Sequence, residues 1–326
     1  MADSPDTRAI KPFPIFYKRG SFEMTYIQLE ENLFVVIGGA FPKCNSLVLI
    51  DDEIVIIDPG CAVEDLRALL QDKELALKDV DTLILSHIHP DHITHATRIQ
   101  RLSRCRIAAN EITAPLFNDK EEMKQFLGFH KAHPVRGLWE QLVNSKMYGA
   151  LDDGRVDEIM SNGDKFAVGD TTIRAIYTPG HLPDHMCFEI LEPNLVFTAD
   201  IDLTEFGPYY GHPNSSIPEF RRSIHHLEDN NYNALISGHL REPLVENYKT
   251  ALAAYEKQID IREDLVLTAI MSGAKTIDDI TMNPIIYPSL TDPVYLQFET
   301  WMIEHHINSL VVRNLIEEKE GKFVAI

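Results

Sequence analysis

The 326-residue chain has few cysteines, a deficit of basic residues and no long apolar run. Its four cysteines, Cys44, Cys61, Cys105 and Cys187, form no C-x-x-C pair, which argues against a disulfide framework and a sulfur-ligated metal site. No apolar stretch approaches the roughly 18 residues that a membrane helix needs. The first residues show no basic segment followed by an apolar one, so the sequence predicts no secretory signal, a cytoplasmic location and no membrane partner.

The deficit of positive charge bears on the kind of partner. The chain has 30 Lys and Arg residues against 50 Asp and Glu residues, a net charge of −20 at pH 7. A protein this acidic lacks the overall potential that attracts a polyphosphate backbone, which disfavours a nucleic-acid partner and favours a small-molecule substrate. Local candidates for a basic groove are confined to residues 131–136 and to Arg221 with Arg222.

Short apolar or alternating runs separated by turn residues are typical of β-strands. They predict strands at residues 22–29, 33–37, 47–50, 54–57, 82–85, 106–109, 172–177, 186–190, 195–198 and 234–237. Helical spacing of apolar residues predicts helices at 62–72, 92–102 and 217–228. Hairpins followed by alternating strands and helices indicate a layered sandwich of mixed sheets with helices outside.

Two segments depart from this pattern. Residues 110–164 are mostly helical in pattern and rich in large side chains, and two interpretations stay open: extra helical packing, or a lid that shapes a substrate pocket. From residue 244 the pattern is nearly all helical, with one apolar helix face sustained over 294–316 and a short hairpin at the end. Residues 243–326 carry 7 Lys and Arg against 13 Asp and Glu, a net charge of −6, which favours a packing or homodimerisation module over a DNA-binding one.

The strongest chemical signal is the motif His87-Ile88-His89-Pro90-Asp91-His92, which follows a predicted strand and leads into a predicted helix. The period-2 spacing of His87 and His89 points both side chains the same way in an extended segment. Pro90 then bends the chain, so Asp91 and His92 can face a second direction. One short loop can thus present two pairs of ligands to two neighbouring metal positions.

Further His and Asp residues stand at the ends of predicted apolar strands, beside Gly, Pro or small residues. They are Asp58, His181, Asp200 and His239. Because strand ends converge on one edge of a sheet, where sites of layered α/β folds commonly lie, we expect them to join the loop motif. His95 is expected to face solvent. The remaining isolated histidines are interpreted as surface or core residues: His130, His133, His212, His225, His226, His305 and His306.

The set HxHxDH, PGH, AD and GH, with an early IIDPG, resembles the metallo-β-lactamase superfamily over residues 20 to 242. The resemblance implies an α+β fold, an αββα sandwich of two mixed β-sheets flanked by helices, in a catalytic domain of residues 1–242 that carries the insertion at 110–164. A helical, winged-helix-like C-terminal module would follow at 243–326. The similar branches are the lactamase-β-2-like and glyoxalase II-like enzymes.

By that resemblance, seven side chains bind two metal ions. His87, His89 and His181 would hold the first, Asp91, His92 and His239 the second, and Asp200 would bridge them. Asp58 would orient a ligand without binding metal itself. Imidazole and carboxylate without thiolate suit two zinc ions, with iron or manganese as alternatives.

Two neighbouring metals can share a water and lower its pKa to about 7, which supplies a bridging hydroxide at neutral pH. Asp91 would also help to orient this nucleophile. Tyr209 and Tyr210 are candidate donors to the oxyanion, against the interpretation that they are packed loop tyrosines. His185 is a candidate partner for the metal site from outside the ligand set.

The predicted activity is that of a binuclear metal-dependent hydrolase acting on an ester, thioester or lactone of an apolar acid. The acidic charge and the aromatic-rich insertion favour this substrate class. Because the similar branches include both thioesterases of carrier-bound acyl groups and endoribonucleases, a phosphodiesterase or endoribonuclease is the first alternative. An iron-dependent redox enzyme of the same fold is the second.

Overall fold

The computed structural model describes residues 16–17 and 25–326, whose strands form two large sheets and one small hairpin. The first sheet has eight strands in chain order: β1 (Phe16–Tyr17), β2 (Tyr26–Gln28), β3 (Leu33–Val36), β4 (Ser46–Ile50), β5 (Ile54–Ile57), β6 (Thr82–Leu85), β7 (Arg106–Ala109) and β8 (Glu158–Ile159). Pairing is antiparallel from β1 to β5 and parallel from β5 to β8. Residues 22–24 of the strand predicted at 22–29 lie outside the described residues.

The second sheet is also mixed. Its six strands are β9 (Lys165–Val168), β10 (Thr171–Tyr177), β11 (Met186–Ile190), β12 (Leu195–Phe197), β13 (Ala234–Ile236) and β14 (Leu244–Val245). Strands β12 and β13 pair in parallel, and the neighbours on either side pair antiparallel. Strand β14 lies in the segment predicted to be nearly all helical. At two residues it is too short for an alternating pattern to indicate a strand.

The described part of the chain contains ten α-helices beside the two packed sheets. They are α1 (Val63–Asp72), α2 (Pro90–Ile93), α3 (Ala96–Ser103), α4 (Thr113–Asn118), α5 (Lys120–Phe126), α6 (Arg136–Lys146), α7 (Ile217–Asp229), α8 (Tyr248–Met271), α9 (Ile277–Thr281) and α10 (Pro293–Val312). Apolar strand residues such as Ile57, Phe188 and Ile236 meet between the sheets. Helices α1 to α3 pack on the first sheet, and α7 and α8 pack on the second. The predicted αββα sandwich is therefore confirmed.

The helix predicted at 92–102 is divided into α2 and α3. The division arises because the backbone N–H of His95 donates to the carbonyl of Pro59, outside the helix. His95 itself is half-buried, so the expectation that it faces solvent is wrong, and burial lowers its pKa to about 4.

The insertion consists of helices α4, α5 and α6 followed by β8. Helix α5 is capped by Asp119, whose carboxylate accepts hydrogen bonds from the N–H groups of Glu121 and Glu122. The rings of Phe129 and Trp139 stack with centroids 4.5 Å apart, and Trp301 of α10 packs edge-on against Phe129 at 5.3 Å. The insertion thus contacts the C-terminal helices.

The C-terminal part contains α8 to α10 and the hairpin of β15 (Ile316–Lys319) and β16 (Lys322–Ala325). Helix α10 begins at Pro293, where the carboxylate of Asp292 accepts a hydrogen bond from the N–H of Val294 at 2.8 Å. It ends at Val312, before the predicted end at 316, because Ile316 already belongs to the hairpin. Within the described part of the chain, every helix is too short or too polar to cross a membrane.

Candidate metal centre

Asp58, which follows β5, holds the loop after β6 in place through hydrogen bonds. One carboxylate oxygen of Asp58 accepts from the N–H of Ser86 at 2.8 Å, and the other accepts from the Ser86 hydroxyl at 2.6 Å and lies 2.7 Å from His92 Nδ1. Gly60 passes close under the same loop, since a Cβ there would lie 1.8 Å from the Asp91 carbonyl oxygen. Only glycine permits that approach, which explains the Asp-Pro-Gly sequence at this strand end.

The first group of side chains that could hold a metal ion contains His87, His89, His181 and Asp200. Their ligand atoms all lie within 4.8 Å of one another. His181 Nε2 lies 3.3 Å from His87 Nε2, 2.9 Å from His89 Nδ1 and 3.1 Å from Asp200 Oδ2. Four donor atoms from three separate loops therefore converge on one point.

The second group contains Asp91, His92 and His239. His239 Nε2 lies 3.3 Å from His92 Nε2 and 3.7 Å from Asp91 Oδ2. The second carboxylate oxygen of Asp200, Oδ1, lies 2.7 Å from His92 Nε2 and 3.2 Å from His239 Nε2. The two oxygens of Asp200 thus face the two groups, the arrangement that a bridging carboxylate requires.

The outer nitrogens of the histidines provide a test of whether these groups fit a metal. In four of the five histidines Nδ1 has a neighbouring hydrogen-bond acceptor. The pairs are His87 with Ser86 Oγ at 2.8 Å, His92 with Asp58 at 2.7 Å, His181 with the Tyr209 carbonyl at 2.8 Å and His239 with the Gly39 carbonyl at 3.2 Å. An Nδ1–H that donates outward leaves the Nε2 lone pair facing the cluster, as in metal-ligating histidines. The donor set fits divalent metal ions.

The electrostatics differ between the two groups of histidines. Burial and the neighbouring His92 lower the pKa of His87 well below its usual value, and burial does the same for His181, which keeps these imidazoles neutral and able to bind a cation. Burial alone would raise the pKa of Asp200, but the charges of the surrounding histidines lower it well below the usual range. Burial would lower the pKa of His92 and His239, but the carboxylate of Asp200 helps to raise that of His92 well above its usual value and that of His239 to about 9. The centre therefore combines neutral imidazoles in the first group with an ionised carboxylate and, in the second group, imidazoles that a metal ion would have to deprotonate.

A thiolate takes no part in the centre. Burial raises the pKa of Cys44 to about 12, although its sulfur lies 3.6 Å from the Asp91 carbonyl oxygen. Burial likewise raises the pKa of Cys187 to about 12 behind the PGH loop. Both side chains are therefore thiols at neutral pH, and neither belongs to the two groups of metal-binding residues.

His185 lies behind Asp200. Its Nε2 accepts a hydrogen bond from the backbone N–H of Asp200 at 3.2 Å, while its Nδ1 lies 3.0 Å from the carbonyl oxygen of Thr178. Burial lowers the pKa of His185 to about 4, which keeps Nε2 unprotonated and able to accept. His185 is thus placed to orient Asp200 without touching a metal.

The two candidate tyrosines face opposite directions. Tyr209 lines the cavity beside the cluster, with its ring 6.0 Å from that of His89. The hydroxyl of Tyr210 instead lies 2.8 Å from His306 Nε2 and accepts from Arg262 at 3.3 Å, in the interior behind the site. The hypothesis that Tyr210 stabilises an oxyanion is therefore wrong, because its phenol is aimed away from the ligands.

Two residues near the centre were not predicted. Asp184 is fully buried and accepts from the N–H of Ile88 at 2.8 Å and from the Thr113 hydroxyl at 2.9 Å, so it joins the histidine loop to the insertion. Its position between the histidines of His181-x-x-Asp184-His185 was the available signal. His212, assigned to surface or core, lies in the cavity wall with its ring 4.9 Å from that of His89.

A cavity of about 540 Å³ opens beside the cluster. The core contributes Phe41, Phe206, Tyr209 and His212 to its wall. The insertion contributes Leu127, Trp139, Leu142, Val143 and Met147, and the C-terminal part contributes Tyr287, Pro288, Ser289, Tyr295 and Phe298. Among the described residues that line it there is no Lys or Arg. The insertion thus shapes the cavity, which favours the lid over extra packing.

Comparison with known families identifies the arrangement. The family model described as the metallo-beta-lactamase superfamily matches residues 40–239, a range that includes all seven of these His and Asp residues. The resemblance drawn from the sequence motifs is confirmed.

Curated relatives match parts of the chain. A protein named Lactamase-like protein nscB from Trichophyton rubrum is 31% identical over 192 residues, 54% of this chain and 58% of that protein. A second of the same name, from Arthroderma otae, is 32% identical over 38% of this chain and 34% of its own length. A protein named Atrochrysone carboxyl ACP thioesterase, from Pseudocercospora fijiensis, is 32% identical over 37% of this chain and 34% of its own length. The chain therefore matches about a third to somewhat over half of these relatives.

Solved structures share the fold. A metallo-beta-lactamase family protein from Thermus thermophilus superposes with a TM-score of 0.72 at 17% identity, covering 92% of this chain and 100% of its own. A beta-lactamase domain protein from Burkholderia ambifaria gives a TM-score of 0.67 at 16% identity, covering 92% and 93%. At these identities the likeness shows the architecture alone.

Proposed function

Because the chain belongs to the metallo-beta-lactamase superfamily, we propose that it is a binuclear metal-dependent hydrolase of esters, thioesters or lactones of apolar acids. The observation that carries the proposal is the position of Asp200, whose two oxygens face two groups of His and Asp ligands. His87, His89 and His181 would hold one metal, and Asp91, His92 and His239 the other. Zinc is the metal that this donor set suits best, with iron or manganese as alternatives.

Two bound metal ions would supply Lewis acidity and lower the pKa of a shared water to about 7, so that hydroxide is present at neutral pH. The side chains of this protein would orient the ligands and the substrate. Asp58, Asp184 and His185 hold the ligands in place through the hydrogen bonds described above. The phenol of Tyr209 borders the same space and would donate to the oxygen of the substrate carbonyl as negative charge develops there.

The cavity supports an apolar acyl group as the part of the substrate that is bound. Its walls carry aromatic and aliphatic side chains. The acidic residues in the lining are the proposed ligands Asp91 and Asp200, together with Asp202, which follows Asp200 by two residues. A neutral apolar acyl group gains the burial of its surface there, whereas an anionic group meets no Lys or Arg in the lining. Among the three ester classes, the name of the thioesterase relative favours a thioester.

A phosphodiesterase or endoribonuclease is less well supported because two of the candidate basic residues, Arg136 and Arg221, are paired with carboxylates. Arg136 pairs with Glu121 at 2.7 Å and with Glu140 at 3.0 Å. Arg221 pairs with Glu256 at 2.8 Å and also with Asp260. Neither arginine is left to hold a phosphate backbone.

The test is a screen of the zinc-loaded protein against uncharged acyl thioesters, lactones and bis(p-nitrophenyl) phosphate. We expect hydrolysis of the apolar thioesters or lactones, loss of activity on chelation and recovery on adding zinc back. Cleavage of the phosphate diester alone would replace this proposal by the phosphodiesterase, and an iron-loaded protein with neither activity would favour the redox enzyme.

We propose a catalytic domain that ends near residue 242, a C-terminal module that mediates homodimerisation, and a cytoplasmic location. Light scattering of the purified protein tests the dimer. The C-terminal part also has a second role, because Tyr287, Tyr295 and Phe298 line the cavity.

A further inference from the structure

A buried carboxylate holds one end of the cavity wall. Glu299 of α10 is fully buried, and its oxygens accept hydrogen bonds from three successive backbone N–H groups. These are Ile285 at 2.8 Å, Ile286 at 3.1 Å and Tyr287 at 2.9 Å. Hydrogen bonds to an ionised acceptor are the strong ones, so the side chain fixes the path of this segment.

The segment that Glu299 holds belongs to no helix or strand. It lies between α9, which ends at Thr281, and α10, which begins at Pro293. Without regular secondary structure, its backbone depends on side-chain acceptors for its position. Glu299 supplies those acceptors from a rigid helix, one residue after Phe298, which itself lines the cavity.

The segment continues directly into the cavity wall. Tyr287, Pro288 and Ser289 line the cavity, and the ring of Tyr287 packs 5.3 Å from both Tyr295 and Phe206. These residues lie on the part of the wall formed by the C-terminal module, while the ligands lie on the core side. Moving residues 285–289 would therefore change the space for an acyl group and leave the ligands in place.

We propose that Glu299 is a positioning residue for a specificity wall, residues 285–289, which selects bulky uncharged acyl groups over short ones. The proposal rests on the proposed hydrolase function and adds the substrate class within it. A bulky acyl group reaches Tyr287 and buries its surface there, whereas an acetyl group stays beside the ligands and gains nothing from the wall. An acyl group with a negative charge meets no cation in the lining.

The test compares Glu299→Gln with Glu304→Gln, a half-buried residue of the same helix with no backbone contact to the wall. Gln keeps the size of the side chain but places an NH₂ group against N–H donors. The substrates are the N-acetylcysteamine thioesters of acetic and 2-naphthoic acid, used with zinc-loaded protein. In Glu299→Gln we expect the KM for the naphthoyl thioester to rise about tenfold relative to that for the acetyl thioester, from the loss of charge-assisted hydrogen bonds. Glu304→Gln should keep the wild-type ratio. Equal changes for both substrates, or none, would overturn the proposal.

A binding measurement separates this proposal from the hydrolase function. N-phenyl-1-naphthylamine is an uncharged fluorescent probe, and its sulfonated analogue, 1-anilinonaphthalene-8-sulfonate, carries a negative charge. We expect the uncharged probe to bind more tightly than the sulfonate, and its Kd to rise about tenfold in Glu299→Gln only. If no ester is cleaved but the two probes bind as expected, the hydrolase proposal is wrong and the proposal for the specificity wall is kept. Equal binding of the probes to all variants would contradict the proposal for the specificity wall.

A second variant covers the case in which Glu299→Gln does not fold. Tyr287→Ala removes a ring from the wall and keeps the three backbone N–H groups bound to Glu299. It should produce the same selective rise in the naphthoyl KM, with zinc content unchanged. A loss of zinc in this variant would contradict the separation of wall and ligands.

Discussion

The metal centre and the cavity beside it are built by different physical means. At the centre, side chains from strand ends meet, and the buried carboxylates Asp58 and Asp184 are tied to backbone N–H groups and hydroxyls. The cavity wall is made of apolar side chains from the insertion and the C-terminal part, held by ring packing such as that of Phe129 on Trp139 and, at residues 285–287, by hydrogen bonds to Glu299. The proposed function therefore assigns chemistry and substrate choice to separate parts of the molecule, and the variants below test whether they can be altered separately.

The largest expected effect comes from Asp200→Ala, which removes the carboxylate shared by both ligand groups. We expect loss of zinc and a fall in kcat/KM of at least about 10³-fold, since both ligand groups lose a partner at once. Elemental analysis and thioester kinetics measure the two effects. Asp229→Ala, at an exposed position, is the control. Full activity with full metal content in Asp200→Ala would contradict the two-metal assignment.

Asp58→Asn tests the support beneath the centre. Asparagine tolerates the left-handed backbone at this position, where φ is +53°, but its NH₂ group replaces one of the two acceptor oxygens and would face either the Ser86 N–H or the Ser86 hydroxyl and His92 Nδ1. We expect zinc affinity to fall about 10- to 100-fold, as for other partners of metal-bound histidines. Competition with a chelator measures the affinity, and Asp52→Asn, an exposed neighbour, should match the wild type. An unchanged affinity would show that His92 is held in place by something else.

The pair Tyr209→Phe and Tyr210→Phe separates the cavity side of the loop from the core side. Tyr209→Phe should lower kcat about 10- to 100-fold with little loss of stability, because the phenol borders the cavity and its hydrogen bond to the Gly211 carbonyl is long, at 3.4 Å. Tyr210→Phe should cost about 1–3 kcal/mol of unfolding free energy, because Arg262 and His306 lose a buried partner, while kcat stays near wild type. Steady-state kinetics and urea unfolding of both variants measure the two effects. A loss of stability in Tyr209→Phe together with a fall of kcat in Tyr210→Phe would contradict the assignment of Tyr209 to the cavity and Tyr210 to the core.

Lys120→Met tests the insertion away from the centre. Lys120 is 3% exposed, its amine lies 4.0 Å above the ring of Phe117, and burial lowers its pKa to about 7. In the unfolded chain the amine keeps a pKa of about 10.4, so between these values the unfolded state binds the extra proton and stability rises with pH. The variant should lose that rise, on the order of a few kcal/mol between pH 7 and 10.

Urea unfolding at several pH values measures this effect, with the exposed Lys146→Met as the control. Activity should not change, because Lys120 does not line the cavity. Parallel pH profiles of wild type and Lys120→Met would show that the buried amine stays charged in the folded protein.

The residues of the candidate metal centre could be predicted from the sequence because each motif spans only a few consecutive residues. A loop such as His87 to His92, or a histidine after an apolar strand, carries its meaning within a few residues. Tyr209 and Tyr210 were not separable, since adjacent side chains of an extended segment point opposite ways and no pattern tells which one faces the site.

The cavity could not be predicted in the same way. Side chains such as Trp139 and Tyr295 line it from segments far apart in sequence, and an apolar residue facing a cavity has the same spacing as one facing the core. His212, predicted as a surface or core residue, is buried, but its place in the cavity wall had no local signal, because only the fold brings it to His89. Likewise Glu299 has no local signal, because its partners are backbone N–H groups 12 to 14 residues earlier.

The most direct test of the central claim is a titration of metal-depleted protein with zinc while hydrolysis of an apolar thioester is followed. A bridging Asp200 with three further ligands on either side predicts that activity rises until two equivalents of zinc per chain are bound and then stays constant. Saturation at one equivalent, or binding of two equivalents without hydrolysis of any thioester, lactone or ester, would contradict it.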